Sequence, residues 1–344
     1  MTCTGRQPNL VPRTIGVQVC SYRRPQFLLR LLAALNRQDR RPDDVVVVIR
    51  QDDVLTSEAL ASSLVDGLPL RIITVSQPGT VAALNAGLRA CRTDVLAITD
   101  DDTVPHADWL HRILVHFTMD SQLGGLGGRD WCHDGVAFDT AGTLVVGRLQ
   151  WFGRMIGGHH RGVGAPRSVD FLKGANMSYR RAAIEGLCFD RRLRGAGAQP
   201  LEDSSFAMTV RMNGWKLLYD PAVAVDHFSA HHSTPRAYAW SAETKAMPDE
   251  SGLFDFAHNE VVAVWRALSP GGRLAFVAWS LLVGTSIAPG LLQAVRYMPR
   301  LGSRTWRRLW TTQAGRLAGF ASVFRHPLAS GVQADWRAER EMLQ

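Results

Sequence analysis

Two runs of consecutive apolar residues constrain the fold of this chain more than any other feature. Residues 44–50 read DVVVVIR and residues 95–99 read VLAIT. A strand without polar alternation must be covered on both faces, which is typical of a parallel sheet flanked by helices. Strand patterns also occur at 14–20 and 70–76, and helix patterns at 26–38, 80–91 and 105–117. This alternation predicts βαβ units and a doubly wound α/β sheet.

The pattern changes after residue 124. Residues 130–168 are rich in Gly, His and Arg and have weak periodicity, which predicts a loop-rich insertion that could cover a site. Ordered structure is predicted again further along the chain, namely a strand at 124–129, a segment at 169–179, a helix at 202–213 that ends at Gly214, strand pieces at 217–227 around Pro221, and mixed helical structure at 228–272.

Composition fits a folded enzyme with one large core or a core plus an appendage. The chain has 344 residues, of which 46% are hydrophobic and 20% charged. Five scattered cysteines without CxxC spacing argue against a disulfide framework or a zinc site, and favour a reducing compartment. Residues 1–13 lack the apolar region of a secretory signal.

The formal net charge of +8 is concentrated at the end of the chain. Residues 270–344 hold ten arginines, no lysine and three acids. Such a basic segment needs an anionic neighbour, either nucleic acid or an anionic membrane surface. The sequence 306–310, WRRLW, suits a membrane interface, or else an amphipathic helix packed on the domain.

An apolar segment at 274–295 lies between Arg273 and Arg296 and has about the length that a bilayer core requires. Gly284 and Pro289 could divide it into two short helices, forming a re-entrant or interfacial hairpin. A buried helix pair is the alternative. We favour membrane contact, and expect the protein on the cytoplasmic side of the inner membrane.

An acidic triplet, Asp100, Asp101 and Asp102, follows the buried strand VLAIT directly. Ligands bind at the carboxyl ends of strands in open α/β sheets. Three neighbouring carboxylates repel each other, and a divalent cation compensates them while also binding a diphosphate. A solvated acidic turn before a helix at Pro105 is the alternative.

A second acidic pair, Glu202 and Asp203, begins the predicted helix at 202–213. Acids in the first turn of a helix are favoured by its dipole, so the pair could simply cap the helix. A carboxylate in a partly enclosed site could instead act as a general base toward a sugar hydroxyl.

Together these segments resemble the family 2 glycosyltransferases of GT-A fold over roughly residues 14–230. The resemblance rests on segments in the order and spacing of that family, which are VQVCSYRRPQFLLRLLAAL, VVVVIRQDD, TVAALNAGL, DDD, FLKGANMSYRR and LEDSSFAMTVRMNGWKLLYDPAVAVDH. It implies a Rossmann-like mixed sheet with helices on both faces. It divides the chain into a catalytic domain at 1–230, with a nucleotide-binding half (14–120) and an acceptor half (121–230), and a C-terminal, helical, membrane-associating region at 231–344.

The resemblance implies roles on the donor side. Nucleotide-sugar contacts are expected from Cys20, Ser21, Tyr22, Arg24, Asp52 or Asp53, Asn85, Asp100 and Asp101. Asp102 would bind the Mg²⁺ or Mn²⁺ that bridges the diphosphate, with Asp100 in the metal sphere. His227 would be a further metal or phosphate ligand, although a histidine satisfied within the core is the alternative reading.

The resemblance also implies roles on the acceptor side. Gly174, Ala175 and Asn176 would form the floor where the donor sugar meets the acceptor. Asp203 would be the base, Glu202 would orient the acceptor, and Arg211 would brace their helix. The implied activity is inverting transfer of a sugar from a nucleotide-sugar to a saccharide, with a lipid-linked acceptor of surface-polysaccharide assembly expected.

The sequence departs from the family pattern at two places. Arg50 and Gln51 stand where many members have acids, so the acid that contacts the base is open between Asp52 and Asp53. The QxxRW signature of processive synthases is missing after the Glu-Asp pair, which favours transfer of a single sugar.

Other functions fit less well. A sugar nucleotidyltransferase would have a glycine-rich basic loop where this chain has SYRRP, and a dinucleotide oxidoreductase would have GxGxxG there. A non-enzymatic nucleic-acid or membrane-binding protein would explain the pI near 9.7, but the charge lies in the tail and not on one face with aromatic platforms. We therefore expect no nucleic-acid partner.

Overall fold

The computed structural model describes residues 11–62, 67–195, 197–228 and 250–325. The strands are β1 (Ile15–Ser21), β2 (Asp44–Arg50), β3 (Leu70–Val75), β4 (Val95–Asp100), β5 (Thr103–Pro105), β6 (Leu123–His133), β7 (Arg148–Leu149), β8 (Met155–Ile156), β9 (Arg167–Ser168), β10 (Asn176–Arg180) and β11 (Lys216–Phe228). The helices are α1 (Pro25–Asn36), α2 (Val54–Ser62), α3 (Thr80–Ala90), α4 (Trp109–Met119), α5 (Arg181–Ile184), α6 (Glu202–Met212), α7 (Glu250–Val264), α8 (Pro270–Leu282), α9 (Leu291–Leu301) and α10 (Arg304–Arg325).

The βα alternation predicted for the first 120 residues is confirmed. The central residues of β2 and β4 are buried, as expected for strands covered on both faces. Two details differ. Helix α2 follows β2 without having been predicted, and α4 begins at Trp109 and not at Pro105, because residues 103–105 pair with β11 instead.

The strands form a mixed sheet in the order β3-β2-β1-β4-β10-β6-β11-β5, with β9 added beside β11. The first four strands of this order are parallel, and β10 runs antiparallel between β4 and β6. The carboxyl ends of β1, β2 and β4 therefore lie at one edge, and β10 places the segment 169–176 beside that edge. The predicted Rossmann-like mixed sheet is confirmed.

The prediction of a loop-rich insertion from residue 130 is wrong at its start. Strand β6 continues to His133, because β11 pairs with it in parallel and opposes His227 to Cys132. Residues 217–227 are one strand and not two pieces, with an irregularity between Asp220 and Ala224 around Pro221. There the backbone comes so close that a Cβ at Gly128 would lie 1.7 Å from the Val223 carbonyl oxygen.

The core does not end at residue 230. One hydrophobic cluster joins residues of the sheet, such as Leu172 and Tyr219, with Val261 of α7, Phe276 of α8 and Val323 of α10. Residues 250–325 are therefore packed on the part of the chain that contains the sheet, and they share its core.

The apolar segment 274–295 is divided into α8 and α9. Gly284 adopts a positive φ of 67° and pairs with Pro289, so the chain reverses between the two helices. Such a conformation favours glycine. Within the described residues, none of the helices combines the length and the apolar character that crossing a bilayer requires.

Candidate active site

The acidic triplet lies where β4 ends at the sheet edge, next to the end of β1. Ser21 donates a hydrogen bond to Oδ2 of Asp101 (2.6 Å). The Arg24 guanidinium pairs with Oδ1 of Asp101 (2.5 Å) and Oδ2 of Asp102 (3.2 Å). Burial raises the pKa of Asp101 to about 7, against the lowering effect of Arg24. Arg24 therefore compensates part of the charge that the triplet concentrates here.

His227 of β11 lies between two carboxylates. Its Nε2 is 3.3 Å from Oδ1 of Asp102, and its Nδ1 is 3.4 Å from Oδ2 of Asp130. All three side chains are buried. Although burial opposes a charge on the imidazole, the carboxylates of Asp102 and Asp130 on its two sides raise the pKa of His227 well above its usual value. The surroundings favour positive charge at this position.

The three residues predicted as metal ligands converge. One ligand atom from each of Asp100, Asp102 and His227 lies within 4.8 Å of the other two. Nε2 of His227 is buried and makes no hydrogen bond within the described part of the chain, although it lies next to a carboxylate oxygen. A buried imidazole nitrogen aimed at carboxylates suits a divalent cation. The donor set therefore fits Mg²⁺ or Mn²⁺.

Asp130 was not among the predicted site residues. Its carboxylate accepts hydrogen bonds from the Lys173 ammonium and from Cys132 (3.6 Å) and contacts Nδ1 of His227. Burial opposes ionisation, but the charges and hydrogen bonds of Lys173 and His227 together outweigh it and lower the pKa of Asp130. The sequence had placed Asp130 in a loop. The signal that could have identified it was continued strand pairing beyond Arg129, which a single sequence does not display.

Asp130, Cys132 and His227 form a second group with metal-ligand spacing. The Lys173 ammonium already bonds Oδ2 of Asp130 and would repel a cation there. Asp130 is therefore better suited to orient the imidazole, as carboxylates commonly do behind metal-bound histidines.

The Glu202-Asp203 pair begins α6, as predicted. Oδ2 of Asp203 accepts a hydrogen bond from the backbone N–H of Gly174 (2.7 Å). Its Oδ1 accepts from the backbone N–H (2.5 Å) and the hydroxyl (3.0 Å) of Ser204. Burial raises the pKa of Asp203 in spite of these donors. Such a carboxylate is held firmly and is more basic than an exposed one.

The two acidic groups lie on the same side of the molecule. Burial is the main cause that raises the pKa of the Cys20 thiol to about 12, and the charges of Asp100, Asp101 and Glu202 add to it. Cys20, at the end of β1, is therefore close to both groups. A further link is Lys173, which bonds Asp130 and precedes the Gly174 amide that holds Asp203.

Backbone strain also marks this edge. Among the described residues, Arg23 (φ 56°) and Leu201 (φ 71°) are the non-glycine residues with positive φ. Arg23 precedes Arg24, and Leu201 precedes Glu202. Such conformations cost free energy and persist where surrounding structure enforces them, often at functional sites.

Tyr22 lies under two guanidinium groups. Those of Arg23 and Arg50 are 5.0 and 4.5 Å from the centre of its ring, and its hydroxyl bonds Asp52 (3.2 Å). Asp52 is exposed, whereas Asp53 is buried. The Asp53 carboxylate accepts from the backbone N–H groups of Arg23 (2.6 Å) and Thr56 (3.1 Å), so it fixes the turn before α2.

Two residues predicted to bind the nucleotide-sugar, Asn85 and Asn176, are buried and paired within the fold. Asn85 does not face a nucleotide, because its buried carboxamide bonds the backbone N–H and carbonyl of Phe189. Asn176 is also buried, and it bonds the Trp109 indole and the carbonyls of Arg129 and Val223. Polar groups buried in this way must be paired, and here backbone and indole groups pair them.

Arg211 lies in the last turn of α6, at the far end from Glu202, and it pairs with Asp170 (3.2 Å). The helix is eleven residues long, so about 13 Å separates the two positions. Arg211 therefore ties the end of α6 to Asp170 and lies away from the acidic pair at the start of that helix.

The sequence contains two pairs of adjacent histidines, His159-His160 and His231-His232, and the structure describes the first pair. His159 is buried, with Nε2 3.1 Å from the Phe171 carbonyl oxygen, and burial lowers its pKa to about 4. It is therefore a neutral core residue. His231 and His232 lie outside the described residues.

A family model described as "Glycosyltransferase like family 2" matches residues 12–246. The chain is similar to the pre-mycofactocin glycosyltransferase of Mycobacterium tuberculosis, with 27% identity over 268 residues, which cover 73% of this chain and 53% of that protein. This chain thus spans about half the length of that relative. It is also similar to the uncharacterized glycosyltransferase YwdF of Bacillus subtilis, with 30% identity over 89 residues, covering 26% of this chain and 32% of that protein.

Two solved structures share the fold. The mannosyltransferase PcManGT from Pyrobaculum calidifontis, solved with GDP-Man and Mn²⁺, aligns with a TM-score of 0.52 and 18% identity over 92% of this chain and 88% of that one. S. aureus TarS 1–349, solved with UDP-GlcNAc, aligns with a TM-score of 0.53 and 13% identity over 91% of this chain and 92% of that one. At these identities the likeness concerns the fold alone, which is the expected GT-A fold.

Proposed function

This chain belongs to the glycosyltransferase-like family 2, and from that premise we propose that it is a metal-dependent, inverting glycosyltransferase. It would transfer a single sugar from a nucleotide-sugar to a hydroxyl of a saccharide acceptor. One observation carries the proposal, namely that Asp100, Asp102 and His227 converge at the same sheet edge as the Glu202-Asp203 pair.

Asp100, Asp102 and His227 would hold the cation, Mg²⁺ or Mn²⁺. The fit rests on the buried Nε2 of His227, which faces Asp102 and makes no hydrogen bond within the described residues. When bound, such a cation offsets the negative charge of the diphosphate leaving group. The Mn²⁺ in the PcManGT complex supports this choice of metal class. Asp130 would be a positioning residue that keeps the His227 imidazole in orientation.

Asp203 would be the general base, with Glu202 beside it to orient the acceptor. The acceptor hydroxyl loses its proton to Asp203 as its oxygen bonds to the anomeric carbon. The bond from that carbon to the diphosphate breaks, and the nucleoside diphosphate leaves with the electron pair. Ser204 engages both lone pairs of Oδ1, whereas Oδ2 accepts one hydrogen bond, from Gly174, and can take the proton on its second lone pair. A single displacement inverts the anomeric centre.

On the donor side, we propose that Tyr22 and Asp52 contact the nucleotide base, since both are partly exposed at the ends of β1 and β2. Cys20 and Ser21 would line the ribose pocket. Arg24 would stay paired with Asp101 and Asp102 near the diphosphate. The contact between Asp53 and the backbone of Arg23 would shape this pocket without reaching the base.

The proposal extends to the acceptor and the location. A lipid-linked saccharide, used in polysaccharide or glycoconjugate assembly on the cytoplasmic side of a membrane, is the acceptor we propose. Its support is that α8 and α10 pack on the core beside the sheet and α9 packs on them, and that these three helices carry exposed apolar residues and arginines. A catalytic site fixed near a membrane surface suits an acceptor embedded in that membrane.

Thermal unfolding of the purified chain with a panel of nucleotide-sugars tests the function. We expect one donor to raise the midpoint temperature in the presence of Mn²⁺ or Mg²⁺ and not with EDTA. That donor should then support transfer to a saccharide acceptor, with release of the nucleoside diphosphate. A chain that instead responds to a nucleoside triphosphate with a sugar 1-phosphate, and releases pyrophosphate, would be a nucleotidyltransferase, which would disprove the proposal.

A further inference from the structure

Exposed large apolar side chains are concentrated in the last three helices. Of the 23 such side chains within the described residues, eleven lie between residues 270 and 325. Scattered exposed apolar residues are normal on a protein surface, whereas a concentration of them marks an interaction surface.

Helix α9 carries an apolar stripe that the fold does not cover. Leu291, Leu292, Val295 and Met298 are all exposed, Leu292 by 60% and Val295 by 53%. Leu292, Val295 and Met298 follow Leu291 by one, four and seven residues, which places all four on one side of the helix. Ala294, three residues after Leu291 and four before Met298, is buried, so α9 contacts the rest of the protein along one edge of this stripe.

Helix α10 repeats this arrangement over its whole length. Trp306, Trp310, Leu317 and Phe324 are exposed and separated by four, seven and seven residues, which aligns them along one side. Trp310 is exposed by 73%. The opposite side is buried against the core and consists of Thr305, Leu309, Thr312, Gly315, Arg316, Gly319 and Val323. The stripe is thus a surface that remains after folding is complete.

Positive charge accompanies both stripes. Arg296, Arg304 and Arg325 are exposed and make no ion pair with any acid that the structure describes. Residues 270–344 contain ten arginines and three acids. A surface that combines an apolar stripe with unpaired cations matches the headgroup region of an anionic bilayer, where both groups find partners.

We propose that α9 and α10 form a docking face for an anionic lipid bilayer, with their apolar stripes inserted at the level of the headgroups. A second copy of the chain fits less well, because a two-fold contact would bring arginines against arginines. Nucleic acid would pair with the arginines but not with the exposed leucines, valine and methionine of α9. The proposal rests on these helices and does not depend on the transfer reaction.

Sedimentation of the full chain with vesicles tests the docking face. We expect binding to vesicles of phosphatidylcholine with phosphatidylglycerol, at least tenfold weaker binding to phosphatidylcholine alone, and a decrease as salt is raised. The double variant Leu292→Glu/Val295→Glu should lose at least tenfold in binding to the anionic vesicles. Both positions are exposed, so the midpoint of thermal unfolding should stay unchanged.

A matched control is Met119→Glu/Leu55→Glu. It makes the same chemical change at two exposed apolar positions, 81% and 60% exposed, in α4 and α2. This variant should bind anionic vesicles about as well as the original chain, with a loss of less than threefold attributable to its added charge. Equal loss in both variants would overturn the proposal. Binding to DNA without binding to vesicles would also overturn it. The same holds if the chain does not bind vesicles but forms a dimer that the α9 variant abolishes.

Discussion

Asp203 accepts hydrogen bonds on both carboxylate oxygens, and its pKa is nevertheless raised because it is buried. For His227 the neighbours prevail over burial. Burial lowers the pKa of the imidazole, but the carboxylates on both sides raise it by more. At the residue scale, the candidate site therefore consists of charges whose neighbours decide their protonation. Substitutions that keep the shape and remove the charge test each role.

Asp203→Asn should reduce the rate of sugar transfer by about 10²- to 10⁴-fold, because the amide cannot accept the hydroxyl proton. Donor-dependent thermal stabilisation should persist, since the metal ligands are untouched. In the original chain, kcat/KM should fall as the pH decreases through the raised pKa of Asp203, at a higher pH than an exposed carboxylate would give. The exposed Glu185→Gln is the control, and full activity of Asp203→Asn would exclude Asp203 as the base.

Asp130→Asn should weaken Mn²⁺ binding by about 10- to 100-fold, because the imidazole of His227 loses the carboxylate that orients it. Electron paramagnetic resonance of free Mn²⁺, measured without donor, gives the dissociation constant independently of activity. Lys173→Met is the informative companion. It removes the ammonium but leaves Asp130 beside His227, so it should not weaken Mn²⁺ binding. Equal weakening in both variants would show a general structural effect.

At the scale of elements, α7 and α10 are joined by a buried ion pair. Arg316 bonds Glu260 (3.2 Å) and donates to the carbonyls of Ser280 (2.5 Å) and Ala288 (2.7 Å). One side chain thus connects α7, the end of α8, the reversal after it and α10. The position of α9, which follows that reversal, depends on this connection.

Arg316→Met should lower the free energy of unfolding by about 3–5 kcal/mol, because Glu260 remains buried without its cation. Urea unfolding followed by tryptophan fluorescence gives this value. The double variant Arg316→Met/Glu260→Leu should recover part of the loss, since no unpaired charge remains. Arg307→Met, which breaks the exposed pair with Glu250, should cost about 1 kcal/mol or less. A similar cost for both arginines would contradict this account.

At the scale of the whole molecule, one hydrophobic cluster lies beneath two surfaces of different chemistry. The carboxyl edge of the sheet gathers the acidic site, and the far helices present apolar stripes with arginines. Since Val261 of α7 and Val323 of α10 share the hydrophobic cluster that contains Tyr219, the two surfaces are held by the same packing. The C-terminal region is thus both a part of the fold and the proposed link to a membrane.

Deletion of residues 302–344 should destabilise the entire protein and not release a folded catalytic domain. Without α10, the buried side of α7 is exposed and Glu260 loses Arg316. We expect loss of the cooperative thermal transition, or a decrease of its midpoint by more than 10 °C, measured by circular dichroism. A truncated chain that keeps its midpoint and its donor response would show that the catalytic part is independent of α10.

The sequence by itself determined the architecture of the parallel half and the pieces of the site nearest to it. Continuous apolar strands such as β2 and β4 must be buried on both faces, and acids placed directly after β4 must reach the carboxyl edge. The location of Asp100 and Asp102 at that edge follows from this local rule. The Glu202-Asp203 pair and His227 were inferred from the order of family-like segments, whose spacing implies their convergence.

Only the tertiary structure decided which polar side chains face the site. Asn85 and Asn176 turned out to bond buried backbone and indole groups, and Asp130 became a partner of His227 because β6 continues along β11. These outcomes depend on contacts between residues about 50 to 100 positions apart, which local patterns do not encode. The same reason explains α8 to α10: the sequence shows that they are apolar and basic, but only packing decides which side is buried.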